Sequence, residues 1–349
     1  MTRIPVGSRW LGDGEPCFVA AEIGINHNGD LELAHRMIDA AADAGADGVK
    51  FQNYRTEDFL SDRRLTYEYE VNGRRVIESQ FEMFKRYELP ADALGRFREH
   101  CDDRGVVFFS TPTSRAGIAD LMSAGAPLLK NGSDLLTHLP LIRAMAETGR
   151  PTVLSTGMAT IAEIDDAVRA FRGAGGTALV LLHCTSSYPT PDEDVHLQKI
   201  PTLARLFGCP VGFSDHTDGI VAAIGARVLG ACLVEKHFTL DKSMAGPDHA
   251  FSASPAELRA LVDGVRRVEK NLGAQALGPT AAEQASRRDF RVSCVATRDL
   301  SSGAVLGEAD VALRRPGTGL PAAALEWIVG RRLGRAVAMG SPLEPGDFL

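Results

Sequence analysis

The sequence predicts an α/β fold, a (β/α)₈ TIM barrel followed by a small β-rich domain. Eight short apolar runs alternate with helix-like segments between residues 18 and 271. Near-continuous apolar strands separated by crossover helices are typical of a parallel sheet that is covered on both faces. Eight such units fit a closed barrel, whose functional residues lie where the strands end. A change of composition after residue 271 predicts a second domain.

The predicted strands and helices alternate regularly along the chain. We expect strands at residues 18–23, 47–52, 106–110, 127–130, 151–155, 178–183, 211–214 and 231–237, and helices at 30–45, 91–104, 115–124, 137–148, 160–173, 196–207, 218–229 and 255–271. Most of these helices have Asp, Ser or Thr near the start and Gly near the end, as helix termini commonly do.

Three segments lie outside this alternation. Residues 1–17 contain a Gly-Asp-Gly turn, 12–14, which predicts a hairpin that closes the floor of the barrel. Residues 53–90 are long for a connection and predict a lid or a substrate loop. Residues 272–289 are rich in Ala, Gly and Gln and predict a linker. We therefore assign 1–271 to the barrel domain and 290–349 to the second domain.

The composition excludes some functions and favours others. The chain has 349 residues, 44% of them hydrophobic, and a net charge of -7 without any Lys/Arg-rich block. A chain with this charge and no basic cluster lacks the positive surface that binds a nucleic acid or an anionic membrane. No apolar run has the length of a membrane span, no signal-peptide pattern is present, and the six cysteines lack C-x-x-C spacing. We therefore expect a cytoplasmic enzyme with reduced thiols.

Two histidines mark the ends of the last two predicted strands. His216 and His237 each follow a short apolar run, and a helix-like segment separates them. The carboxyl ends of successive parallel strands lie side by side, so the two imidazoles can meet. Either histidine alone could be structural, but the pair favours an open site for a divalent ion. Mn²⁺, with Mg²⁺ or Co²⁺ as alternatives, suits such a site better than structural zinc.

Two lysines, Lys50 and Lys130, end other predicted strands. A lysine is costly to bury unless it is paired, so these two imply either an anionic ligand or internal carboxylate partners. Glu22 and Glu235 are the candidate partners, and both interpretations stay open. Hydroxyl groups at neighbouring strand ends favour the anion; they belong to Thr111, Ser133, Ser186 and Ser214.

The chain resembles a known family through many motifs in one order. They include FFSTPTS, LLKNGSDLLTHLPLI, VLSTGMA, LLHCTSSYPTP, VGFSDHT, EKHFTLDKSMAGPDHAFS and RRPGTGL. Together they are similar to the sialic acid synthase family, which includes N-acetylneuraminate, pseudaminic acid and legionaminic acid synthases. The resemblance implies a barrel followed by an antifreeze-like (SAF) domain, and a domain-swapped homodimer. It also implies a reaction that joins phosphoenolpyruvate to the aldehyde of an open-chain N-acylated hexose and releases phosphate.

This chemistry gives roles to the candidate residues. The lysines and hydroxyls would bind phosphoenolpyruvate, and a metal on the histidines would polarise the aldehyde. Glu22 would stabilise cationic character in the reacting substrate or take a proton from water, and Glu235 would orient a histidine or bind sugar. By resemblance, the other sugar contacts are Gln52, Tyr188, Asp248 and, from the partner subunit, Arg315.

The sugar substrate stays open at this point. The segment from Cys184 to Tyr188 has serine where members that use N-acetylmannosamine often have asparagine, which resembles the pseudaminic and legionaminic branches. Residues 246–249, GPDH, resemble the N-acetylneuraminate and legionaminic forms, or form only a tight turn. We expect N-acetylmannosamine first and a 2,4-diacetamido-2,4,6-trideoxyhexose as the alternative.

Other interpretations use the same residues differently. A metal-dependent pyruvate aldolase, or a hydrolase, could also use two histidines and lysines on a barrel, but an aldolase acting on free pyruvate has no need to bind phosphate. A non-catalytic protein that binds ice or carbohydrate would not need so many polar strand ends. Similarly, Arg314 and Arg315 could be a solvated pair with no ligand.

Overall fold

The computed structural model describes residues 3–71 and 73–349, which form two compact units. The first unit ends at Gly273 and the second begins at Ala274. Residues 1, 2 and 72 of the predicted barrel domain lie outside the described part of the chain. In the described residues, no helix is both long and apolar enough to cross a membrane.

A β-hairpin opens the first unit. Strands β1 (Arg3–Val6) and β2 (Arg9–Gly12) pair antiparallel, with Val6 opposite Arg9. The turn of the hairpin is therefore at residues 7 and 8. The predicted Gly-Asp-Gly turn is present, since the Glu15 N–H donates to the carbonyl oxygen of Gly12 at 3.3 Å, but it follows β2. Its assignment as the turn that joins the two strands of the hairpin is wrong. Gly7 has φ +58°, a conformation that glycine adopts without strain. The hairpin side chains Ile4 and Leu11 pack against residues that point into the barrel. The hairpin therefore closes the barrel at the end where the strands begin, as predicted.

The remaining strands of this unit are β3 (Phe18–Gly24), β4 (Gly48–Asn53), β5 (Thr66–Val71), β6 (Arg74–Ser79), β7 (Val107–Pro112), β8 (Leu128–Asn131), β9 (Thr152–Ser155), β10 (Leu179–Cys184), β11 (Val211–Asp215) and β12 (Leu233–His237). All except β5 and β6 form one closed, parallel barrel, in which β12 pairs with β3. The predicted eight-stranded barrel is thus confirmed, and each strand lies within two residues of its expected bounds.

Helices cover the outer face of the barrel, and two more helices, the second and third, lie in the segment 53–90. They are α1 (Leu31–Asp43), α2 (Thr56–Phe59), α3 (Gln80–Tyr87), α4 (Ala91–Asp103), α5 (Arg115–Ser123), α6 (Leu139–Glu147), α7 (Ile161–Gly173), α8 (Lys199–Phe207), α9 (Val221–Val228) and α10 (Pro255–Leu272). Asp30, Ser114, Thr160 and Ser254 cap four of them by accepting backbone N–H groups, which stabilises the starts of the helices. Buried side chains of strands and helices form two large apolar clusters between the layers.

The segment 53–90 is an ordered insertion after β4. It contains α2, the antiparallel pair β5–β6, and α3. Its inner side chains form a separate apolar cluster in which Met83 and Tyr87 are buried against Ile25 and Tyr54. The insertion therefore has a small core of its own on the barrel.

The second unit has a separate core. Strands β13 (Ser293–Ala296) and β14 (Val311–Arg314) pair antiparallel, and α12 (Leu325–Ile328) follows them. Cys294, Leu306, Ile328 and Leu333 are among its fully buried residues. The segment predicted as a linker, 272–289, contains most of a short helix, α11 (Gln284–Phe290).

Candidate active site

A cavity of about 390 Å³ opens at the carboxyl ends of the barrel strands. All eight barrel strands contribute at least one side chain to it, from Glu22 on β3 to His237 on β12. Every site residue predicted within the first unit lines this cavity: Glu22, Lys50, Gln52, Thr111, Lys130, Ser133, Ser186, Tyr188, Ser214, His216, Glu235, His237 and Asp248.

The floor of the cavity carries two buried lysines and two buried glutamates. Lys50 Nζ lies 2.9 Å from Glu22 Oε1, and Lys130 Nζ lies 3.4 Å from Glu235 Oε1. The carboxylate pairing that the sequence left open is therefore present. Lys50 also donates to Thr111 Oγ1 at 3.2 Å. Because these charges are excluded from water, each depends on its neighbours for stabilisation.

The two glutamates of this floor differ electrostatically. Burial, with the nearby Glu235 charge, raises the pKa of Glu22 to about 7, although Lys50 opposes the shift. Burial also opposes ionisation of Glu235, but Lys130 and Lys50 outweigh it and lower the pKa of that carboxyl group. Glu22 can thus exchange a proton near neutral pH, whereas Glu235 stays ionised.

Serine hydroxyl groups line the same cavity as Lys130. In the described residues, the buried Ser155 Oγ and Ser186 Oγ have no hydrogen-bond partner. Ser133 Oγ accepts the backbone N–H of Gly157 at 3.0 Å. A Cβ atom at position 157 would come within 2.4 Å of Ser186 Oγ and 2.7 Å of Ser133 Oγ, so glycine is required for this close approach. The unpaired hydroxyls are donors that a bound anion can use.

The predicted histidine pair lies at the edge of the floor. The ring centroids of His216 and His237 are 5.3 Å apart. His216 Nδ1 donates to the carbonyl oxygen of Thr185 at 2.9 Å, which leaves Nε2 without a proton in the neutral ring. Burial lowers the pKa of His237 well below its usual value, and its Nδ1 has no hydrogen-bond partner in the described structure.

These histidines fit a divalent ion. A hydrogen bond that fixes one ring nitrogen while the other stays free is the usual arrangement of a metal-ligating histidine. Burial opposes protonation of His216, but Cys184 and the Thr185 carbonyl outweigh it and raise the pKa of the ring, so a metal would compete with a proton for this histidine. Among the described residues, no group of three or more His, Cys, Asp and Glu side chains could hold a metal ion. Any ion on this pair would take its remaining ligands from substrate or water.

A buried ion pair behind the histidines was not predicted from the sequence. Lys236 points away from the cavity, since its neighbours Glu235 and His237 point into it. Its Nζ lies 2.8 Å from Asp215 Oδ2 and 2.7 Å from the carbonyl oxygen of Thr217. The pair joins β11 to β12 at the positions next to the two histidines.

Three more of the residues predicted to contact the sugar, Gln52, Tyr188 and Asp248, line the cavity in addition to Glu235 in its floor. Tyr188 is 46% exposed, and its ring centroid is 4.2 Å from that of His216. Asp248 Oδ2 lies 3.6 Å from His237 Nδ1, and burial raises the pKa of this carboxyl group to about 6. Gln52 Nε2 donates to Glu22 Oε1 at 3.1 Å.

Some histidines are explained by structure alone. His183 Nε2 donates to the carbonyl oxygen of Val195 at 2.5 Å and is buried. His249 is also fully buried, with Nδ1 2.7 Å from Thr239 Oγ1. Both rings therefore hold loops in place.

The cavity has an apolar side that the sequence analysis did not identify residue by residue. Phe59, Tyr67, Met83 and Phe84 from the insertion line it, together with Ile25 and Tyr54. The prediction of a substrate loop at 53–90 was the available signal, because the cavity-lining aromatic residues belong to that segment. Asp134, Thr113, Cys184 and Met158 also line the cavity without having been assigned to it.

Arg315 belongs to the second unit. It is exposed there, and its guanidinium group lies over the ring of Phe290 at 5.3 Å from the centroid.

The fold and the cavity define a (β/α)₈ barrel protein with a charged site at the carboxyl ends of its strands. Comparison with protein families gives the particular group: the chain belongs to the NeuB family, whose model matches residues 37–276. The SAF domain model matches residues 291–349, which confirms the predicted antifreeze-like domain.

Several named relatives are similar over almost the whole chain. The N,N′-diacetyllegionaminic acid synthase of Legionella pneumophila is 39% identical over 97% of this chain and 96% of its own length. The pseudaminic acid synthase of Campylobacter jejuni is 33% identical over 95% of this chain and 96% of its own length. The crystal structure of the N-acetylneuraminic acid synthetase of Leptospira borgpetersenii has a TM-score of 0.74 and 35% identity, covering 82% of this chain and 95% of that one. These relatives are all nonulosonic acid synthases, but their products differ.

Proposed function

We propose that the protein condenses phosphoenolpyruvate with an open-chain N-acylated hexose to give a nonulosonic acid and phosphate. The observation that carries this proposal is the floor of the cavity, where two buried lysines lie beside buried hydroxyl groups that have no partner in the described structure. A phosphate and a carboxylate on one small molecule need this density of cations and donors.

Phosphoenolpyruvate binds to the floor through Lys50, Lys130 and the surrounding hydroxyls. Those hydroxyls belong to Thr111, Ser133, Ser186 and Ser214. Lys130 is the more available cation, because its contact to Glu235 is longer than the contact between Lys50 and Glu22. The internal glutamates keep the lysines charged before the anion arrives, so the site is preorganised for it.

His216 and His237 hold a divalent ion, with Mn²⁺ favoured and Mg²⁺ or Co²⁺ as alternatives. When bound, such an ion supplies a Lewis acid for the aldehyde oxygen of the sugar. The ring centroid of Tyr188 lies 4.2 Å from that of His216 and 6.2 Å from that of His237, and Asp248 approaches His237, so both side chains would restrict where the aldehyde can lie.

In the proposed reaction, the methylene carbon of phosphoenolpyruvate forms a bond to the aldehyde carbon. The π electrons of the phosphoenolpyruvate double bond form this bond, and the aldehyde oxygen takes up a proton to become a hydroxyl group. The adjacent carbon gains cationic character, water adds to it and gives up a proton, and the bond from that carbon to the phosphate oxygen then breaks to release phosphate. Glu22, whose pKa is raised to about 7 by burial, is positioned to take the proton of that water or to stabilise the cation. Glu235 stays ionised and holds Lys130 and Ser214, whose Oγ donates to Glu235 Oε1 at 3.1 Å.

For the sugar, two candidates follow from the sequence motifs. N-acetylmannosamine stays first and a 2,4-diacetamido-2,4,6-trideoxyhexose stays the alternative, because an N-acetylneuraminic acid synthetase and an N,N′-diacetyllegionaminic acid synthase are both similar to this chain. Gln52, Tyr188 and Asp248 line the mouth where either sugar would enter.

The protein works as a domain-swapped homodimer in the cytoplasm under this proposal. The second unit would complete the site of a partner subunit, with Arg315 reaching the N-acyl group. Its exposed Arg315 supports an intermolecular role, and six free, buried cysteines support a reducing compartment.

Mixing inactive His237→Ala and Arg315→Ala variants under subunit exchange should restore part of the activity, because one site of each mixed dimer has neither defect. Absence of recovery despite proven exchange contradicts the swap.

The function is tested by measuring phosphate release from phosphoenolpyruvate with each sugar, with and without Mn²⁺. We expect stoichiometric phosphate and nonulosonic acid with at least one N-acylated hexose, and none without the sugar. A metal-dependent aldolase would instead consume free pyruvate without phosphate release. Activity with pyruvate, or no phosphate release with any sugar of the panel, overturns the proposal.

A further inference from the structure

The loop that follows β12 carries one of the residues that line the cavity. In residues 239–252, which form this loop, the backbone belongs to no helix or strand. Asp248 lies in the loop, and its Oδ2 is 3.6 Å from Nδ1 of His237, the last residue of β12. Because no regular element fixes the backbone here, the position of Asp248 beside His237 depends on side-chain contacts to the loop.

An asparagine from a distant part of the chain, Asn26, makes such contacts. It lies in the turn after β3 and is 1% exposed. Its Nδ2 donates to the carbonyl oxygen of Phe238, the residue after His237, at 2.9 Å and to Oγ of Ser252 at 2.9 Å. Ser252 Oγ in turn donates to the carbonyl oxygen of Asp248 at 2.6 Å. One amide group therefore connects the end of β12 to the residue that faces it.

These contacts fix the orientation of the Asn26 amide. The carbonyl oxygen of Phe238 can only accept a hydrogen bond, so Nδ2 must face it and Oδ1 must point elsewhere. Both protons of the amide nitrogen are then used, one for each acceptor. Oδ1 has no hydrogen-bond partner in the described structure. Asn26 is not among the residues that line the cavity, so it can affect a substrate only through the residues that it holds.

Asn28, from the same turn, contacts the same loop differently. Its Nδ2 donates to the carbonyl oxygen of Ala245 at 2.9 Å, and its Oδ1 lies 3.3 Å from His249 Nε2. Neither contact reaches the end of β12. The φ of Asn28 is +53°, which glycine adopts without strain, so Asn28→Gly removes the side chain and keeps the backbone. Asn28 is therefore a matched comparison for Asn26.

We propose that Asn26 is a positioning residue that sets the distance between Asp248 and His237 and thereby the affinity for the sugar. This inference rests on the proposed function, in which Asp248 contacts the sugar and His237 lies at its aldehyde. Without the two hydrogen bonds of Asn26, the loop can move away from β12 and Asp248 loses its contact with the sugar. Phosphoenolpyruvate binds at the lysines of the floor and does not depend on this loop.

The test measures phosphate release by the full-length protein with Mn²⁺. The sugar is N-acetylmannosamine, or the 2,4-diacetamido-2,4,6-trideoxyhexose if only that sugar is turned over. Asn26→Ala should raise the KM for the sugar about tenfold, the size of one neutral hydrogen bond, while kcat and the KM for phosphoenolpyruvate stay at wild-type values. Asn28→Gly should leave both KM values unchanged. An equal rise of both KM values in Asn26→Ala, or the same rise for the sugar in Asn28→Gly, overturns the inference.

A second variant, Ser252→Ala, cuts the path to Asp248 but keeps the bond between Asn26 and Phe238. It should also raise the KM for the sugar, and it carries the test if Asn26→Ala does not fold. The double variant Asn26→Ala/Ser252→Ala should resemble Asn26→Ala alone, because the two side chains act in series. An unchanged sugar KM in Ser252→Ala, or additive effects in the double variant, contradict the positioning role and leave the proposed function standing. If the wild-type protein releases no phosphate with either sugar, the proposed function fails, and the inference fails with it.

Discussion

The floor of the cavity and its apolar wall, which consists of Phe59, Tyr67, Met83 and Phe84 from the insertion, are built in different ways. The floor consists of side chains at the ends of barrel strands, where a polar residue at the carboxyl end reaches the cavity by virtue of the fold. The wall consists of side chains from an insertion after β4, whose direction depends on the packing of that insertion. Floor residues can therefore be read from strand periodicity, whereas wall residues cannot.

The largest expected effect concerns the histidine pair at the edge of the floor. His216→Ala or His237→Ala should abolish phosphate release, because the aldehyde would lose the Lewis acid that an ion on this pair would supply. Circular dichroism and thermal unfolding should show a folded barrel in both variants. Chelation of the wild-type protein should have the same effect and be reversed by Mn²⁺. Full activity in a variant or in metal-free protein rules out the metal role.

A large but smaller effect is expected for the cations of the floor. Lys130→Ala should raise the KM for phosphoenolpyruvate roughly thirtyfold to several-thousandfold, which corresponds to about 2 to 5 kcal/mol for a buried charged contact. The KM for the sugar should change little. Lys199→Ala provides a control for the loss of a lysine away from the cavity. Unchanged phosphoenolpyruvate binding would give Lys130 a structural role as the partner of Glu235.

A third prediction compares the buried ion pair behind the histidines with an ion pair that is partly exposed to solvent. Two lysine–carboxylate pairs have the same 2.8 Å distance, but Lys236 is 2% exposed and Lys242, which pairs with Glu257, is 34% exposed. Lys236→Met should reduce the free energy of unfolding by about 3 to 5 kcal/mol, because it leaves Asp215 buried without its partner. Lys242→Met should cost about 1 kcal/mol or less. Chemical denaturation measures both; similar losses would mean that burial does not set the contribution of these pairs.

The smallest effect is expected from a substitution at Gly157, which lies close to the hydroxyl groups of Ser133 and Ser186. Gly157→Ala should push Ser133 and Ser186 apart and weaken phosphoenolpyruvate binding by up to about tenfold, the loss of one neutral hydrogen bond. Gly173→Ala is the control, because a Cβ atom there has no neighbour within 4 Å. Alanine at this helical position should leave substrate binding unchanged and alter stability by about 1 kcal/mol at most. Equal phosphoenolpyruvate KM values in both variants contradict the hydroxyl assignment.

Much of the candidate site was predictable because strand ends follow a simple rule. Glu22, Lys50, Lys130, Glu235 and the two histidines come from positions where apolar runs stop, and all of them line the cavity. The pairing of these charges was not predictable. Alternative partners were open for each lysine, and only side-chain distances decide between them.

Other features depended on packing that has no local signal. The N-terminal hairpin was expected, but its turn lies five residues earlier than the Gly-Asp-Gly signal indicated, because the register that pairs Val6 with Arg9 buries Ile4 and Leu11 in the barrel. Nothing in the sequence around Lys236 indicates that this lysine is buried. Its burial against Asp215 becomes evident only when β11 and β12 are adjacent.

The sequence by itself determined the barrel, the position of its strands and the chemical character of the floor. It could do so because burial of a strand on both faces requires a continuous apolar run, and the end of that run is visible in the chain. The tertiary structure alone decided which lysine pairs with which glutamate, which nitrogen of His216 is free, and which side chains of the insertion face the cavity. These depend on contacts between residues far apart in sequence, and such contacts are fixed by packing rather than by local pattern.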